Sequence, residues 1–366
     1  MVIQPSAMEE LGMNKTFWIG KRVLITGHTG FKGSWLSLWL HKMGAVVAGY
    51  ALPAPEESLF QLAGVAEGMK ESVYDDIRTL DPLTRLMGSF RPEIVFHLAA
   101  QPIVRIAYQQ PIETYYVNVM GTANLLEAVR LSDSCRAVVV ITSDKCYENK
   151  EWVWGYRESD SLGGHDPYSS SKACAELITA SYRHSYLHQG ASSPVALASA
   201  RAGNVIGGGD FSKDRLIPDL MAAVLKGSPL KLRFPDAVRP WQHVLEPLSG
   251  YLLLAERIWS DPEHYAQSWN FGPTPDDLKS VRWIVNRLNE CLGRRVSWDL
   301  DAGNAPHEAT LLALDSAKAR MVLGWKPRWT LDRALEAIVE WYKTYESRES
   351  VRDVVVRQIE AYEASG

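Results

Sequence analysis

Tyr168 and Lys172 lie four residues apart in a predicted helix, which puts their side chains on one helix face. A lysine ammonium beside a phenol favours the phenolate and lowers the pKa of the phenol towards neutral pH. Such a pair can remove a proton from a substrate hydroxyl. The Tyr-x-x-x-Lys spacing is common by itself, so the residues that accompany it decide its meaning.

A second polar group, made of Ser143, Asp144 and Lys145, directly follows a predicted strand. Ligands of parallel sheets bind at the carboxyl ends of the strands, so this group belongs where a substrate would lie. The Ser143 hydroxyl could hydrogen-bond the same substrate oxygen as Tyr168, and Asp144 and Lys145 could exchange protons. The sequence therefore predicts a catalytic site composed of Ser143, Asp144, Lys145, Tyr168 and Lys172.

The glycine loop Gly27-His-Thr-Gly30-Phe-Lys-Gly33 lies between the first predicted strand and the first predicted helix. Glycines let a backbone turn sharply and approach a pyrophosphate, which the free amides at the helix start then bind. The acidic residue expected about 20 positions later, which would bind the adenosine ribose, is absent. These residues alone leave NAD and NADP open. Asp76, after the third predicted strand, could meet the adenine amino group or lie in a solvated turn.

The elements that position these residues alternate through the first half of the chain. Apolar strands are predicted at 22–26, 45–50, 72–75, 94–98, 137–142 and 195–201. Helices are predicted between them at 34–43, 82–90, 112–131 and 168–187. Unbroken apolar strands separated by helices are typical of a parallel sheet covered on both faces. The predicted fold class is α/β, with a doubly wound parallel Rossmann sheet.

The second half is richer in glycine and proline, with helices predicted at 216–226, 247–259, 280–292 and 331–345 and a terminal helix in the last fifteen residues. We interpret it as a smaller, irregular α/β lobe that binds substrate. The predicted domains are a flexible tail at 1–16, a dinucleotide-binding domain at 17–201 with returning segments near 241–272, and a mainly substrate-binding lobe at 202–366.

Composition excludes several function classes. The chain has 366 residues, is 46% hydrophobic and carries a formal net charge of −4, which argues against a nucleic-acid partner. It contains no apolar run long enough to span a bilayer and no secretory signal segment. The spacing of its four cysteines fits neither a zinc site nor a disulfide framework. We therefore expect reduced thiols, no metal, no membrane association and a cytoplasmic location.

The glycine loop, Ser143, Tyr168 and Lys172 resemble the extended short-chain dehydrogenase/reductases, and the resemblance runs over about 18–345. Within that family the chain looks like the nucleotide-sugar 4,6-dehydratases, which carry an aspartate and a second acid–base residue where Asp144 and Lys145 lie. Members acting on dTDP-glucose or GDP-mannose usually have glutamate at the Lys145 position. Longer stretches resemble the members that act on CDP-glucose, namely 28–36, 143–149, 201–210 and 239–244.

This resemblance implies that NAD stays bound through the cycle. It implies cofactor contacts from Gly27, Thr29, Gly30, Phe31, Lys32, Gly33, Asp76, Ile77, Leu98, Ala99, Ala100, Asn118, Tyr168 and Lys172. Tyr168 would deprotonate the sugar 4-hydroxyl as C4 is oxidised. Lys145 would take the C5 proton if its surroundings favour the neutral amine, and Asp144 would protonate the departing C6 hydroxyl. The product would be a 4-keto-6-deoxy sugar nucleotide used in deoxysugar and surface polysaccharide synthesis, including lipopolysaccharide O-antigen.

The substrate's diphosphate, ribose and base need further partners. The candidates are Gln101, Asn204, Arg215, Arg239 and His243, with Arg201 as a further arginine in the same stretch. Arginine suits bidentate phosphate contacts, although any single arginine could equally form a surface ion pair. The aromatic residues of the loop before Tyr168 could line the sugar pocket or pack there, and they are Trp152, Trp154 and Tyr156.

Other functions remain open on the residues alone. A dehydratase for another nucleotide sugar and a nucleotide-sugar epimerase would share the fold, but an epimerase needs no acid–base pair like Asp144 and Lys145. A non-catalytic dinucleotide sensor would have no need of Ser143, Tyr168 and Lys172. The family resemblance implies a homodimer or homotetramer, and the long helices at 112–131 and 168–187 are candidate contact faces.

Overall fold

A computed structural model of the chain describes residues 14–188, 190, 194–294, 296–301 and 311–365. The strands are β1 Arg22–Thr26, β2 Val46–Ala51, β3 Glu71–Tyr74, β4 Ile94–His97, β5 Ala137–Ile141, β6 Ala196–Ala202, β7 Val205–Ile206, β8 Leu230–Leu232, β9 Val238–Pro240, β10 Gln242–His243, β11 Ser268–Phe271, β12 Leu278–Ser280 and β13 Trp298–Leu300.

The helices are α1 Phe31–Lys42, α2 Leu59–Leu62, α3 Leu80–Phe90, α4 Val104–Gln109, α5 Pro111–Tyr115, α6 Gly121–Arg130, α7 Pro167–Ser185, α8 Leu216–Lys226, α9 Leu245–Ser260, α10 Pro262–Tyr265, α11 Val281–Leu292, α12 Leu331–Glu346 and α13 Val351–Ala364. Side-chain caps begin several of them. The Asp166 carboxylate, for example, accepts the amide N–H of Ser169 at the start of α7, where Pro167 occupies the first turn.

A seven-stranded sheet forms the centre of the molecule in the order β11-β6-β5-β4-β1-β2-β3. All of its pairings are parallel. The order reverses between β1 and β4, which is the kind of point where such sheets bind ligands. Alternate strand residues enter two separate cores, Val23 and Ile25 on one face and Leu24 on the other. The predicted doubly wound Rossmann sheet is confirmed.

Two features of the sheet and its helices differ from the predicted pattern. Strand β11 was not predicted from its own residues, because Ser268–Phe271 is short, but it pairs with β6 and completes the sheet. The predicted helix at 112–131 is present as α5 and α6 joined by a π-helical segment, Tyr116–Met120. Single-turn π segments often occur at functional sites, and this one carries Asn118.

The chain enters the fold earlier than residue 17. Asn14 caps a short 3-10 helix, Lys15–Trp18, and its backbone N–H donates to Glu256 on α9 at 3.0 Å. The buried Trp18 indole N–H donates to the same carboxylate at 2.7 Å. The rest of the predicted flexible tail lies outside the described residues. Among the helices in the described ranges, none is long and apolar enough to cross a membrane.

Candidate active site

A cavity of about 410 Å³ lies at the carboxyl ends of the central strands. Its walls come from the start of α1, the segments that follow β4, β5 and β6, the catalytic face of α7, and the region around α8 and β8. Ser143, Asp144, Lys145, Tyr168 and Lys172 all line it. The structure therefore brings together the five side chains that the sequence predicted as one site, although they come from β5 and α7.

The glycine loop has no room for side chains at two of its positions. Gly27 has φ +75°, and a Cβ there would lie 2.7 Å from the Ala99 nitrogen. A Cβ on Gly33 would lie 2.1 Å from the Gly27 carbonyl oxygen. The loop packs this tightly while α1 begins at Phe31, so the first amides of α1 remain available to an anion. Phe31 and Lys32 line the cavity, and these features fit a dinucleotide pyrophosphate.

The segment after β4 is held against this loop by buried hydrogen bonds. Thr26 shares a 2.7 Å hydrogen bond with His97, and its hydroxyl accepts the N–H of Ala99 at 3.3 Å. Asn118 accepts the N–H of Gln101 at 2.8 Å and donates to the Ser171 hydroxyl at 2.9 Å. Asn118 thus ties the cavity wall to α7. Leu98 and Ala100 line the cavity beside this anchor.

Three residues predicted to bind the cofactor, Thr29, Asp76 and Ile77, lie outside the cavity lining. Thr29 donates its hydroxyl to the Leu52 carbonyl at 2.9 Å. Asp76 accepts from the Arg78 guanidinium at 3.0 Å, and this contact lowers the pKa of the Asp76 carboxyl. Ile77 is buried against α6. In this arrangement an adenine amino group would have to share the Asp76 carboxylate with Arg78.

Asp144 is buried at the end of β5. One carboxylate oxygen accepts the Ser143 hydroxyl at 2.8 Å, while the other has no partner among the described residues. Burial raises the pKa of Asp144, which favours the protonated acid needed to donate to a leaving group. Lys145 follows directly and lines the same cavity.

The ionisation of Tyr168 and Lys172 differs from the sequence prediction. Burial raises the pKa of the Tyr168 phenol to about 12, although the interaction with Ser143 acts in the opposite direction. Burial lowers the pKa of Lys172 to about 8. The expectation that Lys172 brings the phenol pKa towards neutrality is therefore not met by the protein alone, because desolvation outweighs the effect of the neighbouring cation.

Lys32 adds another cation at the centre of the site. Burial, together with the positive charges of Lys172 and Arg215, lowers the pKa of Lys32 to about 7. Arg215 is paired with Asp210 at 2.9 Å, and both line the cavity. A cavity that collects this many cations is suited to phosphate groups.

The five candidate substrate residues separate into two groups. Asn204, Arg215 and Arg239 line the cavity. Gln101 does not, because its side chain donates to Thr114 at 3.0 Å and accepts the Ile103 N–H at 2.6 Å. These bonds hold the backbone of the cavity wall and leave the Gln101 amide turned into the protein.

His243 lies in the core, outside the cavity lining. It is 1% exposed and packs against the rings of Trp35 and Trp329. Burial lowers the pKa of this imidazole to about 3, so it is neutral. The prediction that His243 contacts the substrate is therefore wrong. The apolar packing around this side chain could not be inferred from its place in the sequence.

Arg201 is also turned away from the cavity. Its guanidinium forms a buried ion pair with Glu176 at 2.8 Å and donates to the Tyr147 hydroxyl at 2.7 Å. Glu176 also accepts the hydroxyl of Thr142, the residue before Ser143, at 2.5 Å. This network holds the end of β5 against α7 from behind, so Arg201 is a structural residue.

The aromatic loop before Tyr168 packs within itself. The ring of Tyr156 stacks on Tyr147 and on Trp152, each at 5.2 Å between centroids, and this cluster includes Leu312 and Leu314. Trp154 is 70% exposed. None of the three predicted aromatic residues lines the cavity. The packing alternative is observed for Trp152 and Tyr156, whereas Trp154 is largely exposed.

Sequence reasoning missed the wall that α8 and β8 contribute, including Asp219, Leu230 and Phe234. Its apolar residues give no motif, and their role depends on the contact between α8 and β8. The one available signal was the short apolar run at 216–218 directly after Arg215, which was assigned only as a helix start.

Comparison with known proteins places these features in a family. Residues 24–338 match the family model described as GDP-mannose 4,6 dehydratase. The CDP-glucose 4,6-dehydratase of Salmonella typhimurium is 52% identical over 353 residues, covering 96% of this chain and 98% of that protein. The dTDP-glucose 4,6-dehydratase of Xanthomonas campestris is 26% identical and covers 88% of this chain and 93% of that one.

Solved structures share the fold at lower identity. The dTDP-glucose 4,6-dehydratase of Bacillus anthracis, in complex with NAD, has a TM-score of 0.73 at 22% identity, covering 90% of this chain and 99% of that one. The UDP-glucose 4-epimerase of Thermus thermophilus, also in complex with NAD, has a TM-score of 0.75 at 24% identity, covering 88% and 99%. With the family model spanning most of its length and a relative identical at half of its positions, the chain belongs to the GDP-mannose 4,6 dehydratase family of nucleotide-sugar 4,6-dehydratases.

Proposed function

We propose that the chain is an NAD-dependent hydro-lyase that converts CDP-glucose to CDP-4-keto-6-deoxyglucose and water. The observation that carries this proposal is the meeting of Ser143, Asp144, Lys145, Tyr168 and Lys172 in one cavity, in a chain 52% identical to a CDP-glucose 4,6-dehydratase. An epimerase would not require the buried acid Asp144 beside a second proton-transfer group.

The residues around the glycine loop fit NAD. Gly27 and Gly33 leave no space for a Cβ, and α1 directs its first amides towards the cavity that Lys32 lines. When bound, NAD supplies the hydride acceptor for the oxidation of sugar C4 and the hydride donor for the reduction of C6. Asn118 holds the Ala99–Gln101 wall in place for this ligand through its bond to Gln101.

Tyr168 takes the proton from the 4-hydroxyl of the sugar. Ser143 orients that hydroxyl, and Lys172 favours the phenolate with its positive charge. Because burial raises the pKa of Tyr168 to about 12 in the protein alone, the phenolate that accepts this proton requires stabilisation by the positive charge of Lys172 and by the bound ligands. The buried position also excludes water from the group that ionises.

Asp144 and Lys145 perform the loss of water. The 4-ketone acidifies the C5 proton, which Lys145 removes in the proposed reaction. Asp144, whose pKa burial raises, donates a proton to the C6 hydroxyl so that water leaves. Reduction of C6 then gives the 4-keto-6-deoxy product.

The remaining substrate contacts come from the lobe at 202–366. Arg215 and Arg239 meet the diphosphate and Asn204 meets the sugar nucleotide nearby, since all three line the cavity. We further propose a homodimer or homotetramer, a cytoplasmic location and a role in deoxysugar synthesis for surface polysaccharides. The four cysteines, which are all unpaired, are consistent with that location.

A substrate panel tests this function. Purified protein with NAD is incubated with CDP-, dTDP-, UDP- and GDP-hexoses, and mass spectrometry follows the loss of water. We expect dehydration of CDP-glucose, and we expect Tyr168→Phe to lower kcat by at least about 100-fold because the proton acceptor is removed. Turnover without water loss would identify an epimerase and contradict the proposal.

A further inference from the structure

Helix α8 and strand β8 are in contact with each other, and residues of both line one part of the cavity. Leu216, Ile217 and Pro218 line it from the helix, and Leu230, Leu232 and Phe234 line it from the strand and the residues after it. An apolar lining suits a flat heterocycle, whose faces are apolar while its edge carries the hydrogen-bonding groups. This part of the cavity, which we call the α8–β8 slot, is suited to the base of the nucleotide.

Asp219 brings a carboxylate to the α8–β8 slot. It lies in the first turn of α8, lines the cavity and is partly buried. The backbone N–H of Asp214 supplies one hydrogen bond to the carboxylate. Burial and the nearby Asp214 charge raise the pKa of Asp219 to about 6, so the group is ionised at neutral pH. Within the described ranges no cation forms an ion pair with it.

The other acidic group of this wall is already neutralised. Asp214 forms an ion pair with Arg105 on α4 at 2.7 Å. Asp219 has no such ion pair within the described ranges, although the charge of Arg233 lowers its pKa, and its carboxylate oxygens can accept hydrogen bonds from a ligand. A partly desolvated carboxylate gains from a donor that reaches it, and it is penalised when an acceptor is placed against it instead.

The edges of the pyrimidine bases differ at position 4. Cytosine carries an amino group there, which donates, whereas uracil and thymine carry a carbonyl oxygen, which accepts. A carboxylate facing this edge would bind cytosine and repel the other two bases. Discrimination of this kind comes from the unfavourable contact with the wrong base as much as from the favourable one with the right base.

We propose that Asp219 is a specificity-determining residue that selects cytosine over uracil and thymine by accepting a hydrogen bond from the 4-amino group. This inference rests on the proposed function for the identity of the site as the nucleotide-sugar pocket. It assigns the selection of the nucleotide base to the Asp219 carboxylate, because the proposed catalytic residues act on the sugar.

The test compares wild-type protein, Asp219→Asn and the control Asp236→Asn. Asp236 is an exposed acidic residue close to β8, ion-paired with Arg282 at 3.0 Å and outside the cavity lining. Calorimetry with CDP and UDP gives the binding preference without catalysis, and kcat/KM with CDP-glucose and UDP-glucose gives the catalytic preference. Circular dichroism checks that each variant is folded.

We expect the wild-type protein to prefer CDP over UDP by at least about tenfold, the effect of one hydrogen bond to a charged group. Asp219→Asn should lose most of this preference, because its amide can donate to uracil O4, while Asp236→Asn should keep it. An unchanged CDP preference in folded Asp219→Asn would overturn the inference while leaving the proposed reaction intact. If the wild-type protein prefers CDP but does not dehydrate CDP-glucose, and Asp219→Asn loses that preference, the inference is supported and the proposed reaction is refuted.

Discussion

At the scale of single residues, the end of β5 places two proton-transfer groups side by side, and burial acts strongly on one of them. Asp144 is buried with one unpartnered oxygen, and its pKa is raised. Lys145 lines the cavity next to it. In the proposed reaction, Asp144 is the proton donor and Lys145 the proton acceptor of the dehydration.

Lys145→Ala tests the acceptor role directly. We expect this variant with CDP-glucose still to reduce NAD, because the oxidation of C4 requires Tyr168 as the proton acceptor and NAD as the oxidant but does not require Lys145. The substrate recovered from heavy water should, however, contain no deuterium at C5. NMR of that substrate measures the exchange. Continued exchange in the variant would show that another group is the C5 base.

Lys32 should make NAD binding depend on pH. Its pKa lies at about 7, so the ammonium that attracts the pyrophosphate becomes a neutral amine as the pH rises through that value. The dissociation constant for NAD should therefore increase between about pH 6 and pH 8. Fluorescence titration across this range measures the change. Lys32→Arg, which stays charged, should remove most of the dependence, and an equally steep profile in that variant would refute the assignment.

At the scale of elements, the glycine loop and the start of α1 pack together without space for a side chain on Gly33. An alanine at position 33 would bring its Cβ to 2.1 Å from the Gly27 carbonyl oxygen, so the loop and the start of α1 would have to separate. Gly33→Ala should thus lose the thermal stabilisation that NAD gives the wild-type protein, which amounts to about 2.7 kcal/mol at 100 times the dissociation constant.

A matched control for this prediction is Gly88→Ala in α3, where an added Cβ meets nothing within 4 Å. This variant should keep the NAD response and gain up to about 1 kcal/mol from its better helix propensity. Thermal scans with and without NAD measure both variants. A normal NAD response in Gly33→Ala would contradict the view that the loop tolerates no side chain there.

One helix and one strand show what sequence patterns could and could not predict. The helix predicted at 112–131 follows from its periodicity, but the π-helical turn at Tyr116–Met120 does not, since one extra residue in a turn leaves the apolar pattern almost unchanged. That turn carries the Asn118 anchor. Strand β11 was missed because four residues carry too little pattern, and only its pairing with β6 identifies it.

At the scale of the whole molecule, exposed apolar side chains occur on neighbouring helices of one part of the surface. Ile112, Tyr116 and Met120 are exposed at helical spacing, and Leu177 on the neighbouring α7 is exposed as well. We call these four residues the α5–α7 face. Exposed apolar side chains on helices that pack together are typical of an interaction surface, and we propose that a second copy of the chain covers this face.

The double variant Tyr116→Lys with Leu177→Lys should therefore be a monomer. Like charges would be buried against each other if two copies met through the α5–α7 face. Light scattering coupled to size-exclusion chromatography measures the mass. Met321→Lys is the control, because Met321 is 85% exposed and lies away from this face on another segment. An unchanged oligomer in the double variant would exclude this face as the contact.

The sequence by itself determined the Rossmann sheet, the glycine loop and the family, because each depends on residues close together in the chain. The same holds for the candidates at 143–145 and at Tyr168 and Lys172, which follow from strand ends and helix spacing. The tertiary structure alone decided that Gln101 and His243 turn inward, that Arg201 pairs with Glu176, and that Asp219 enters the cavity. These outcomes depend on partners from distant parts of the chain and on the desolvation they cause, and local sequence does not encode either.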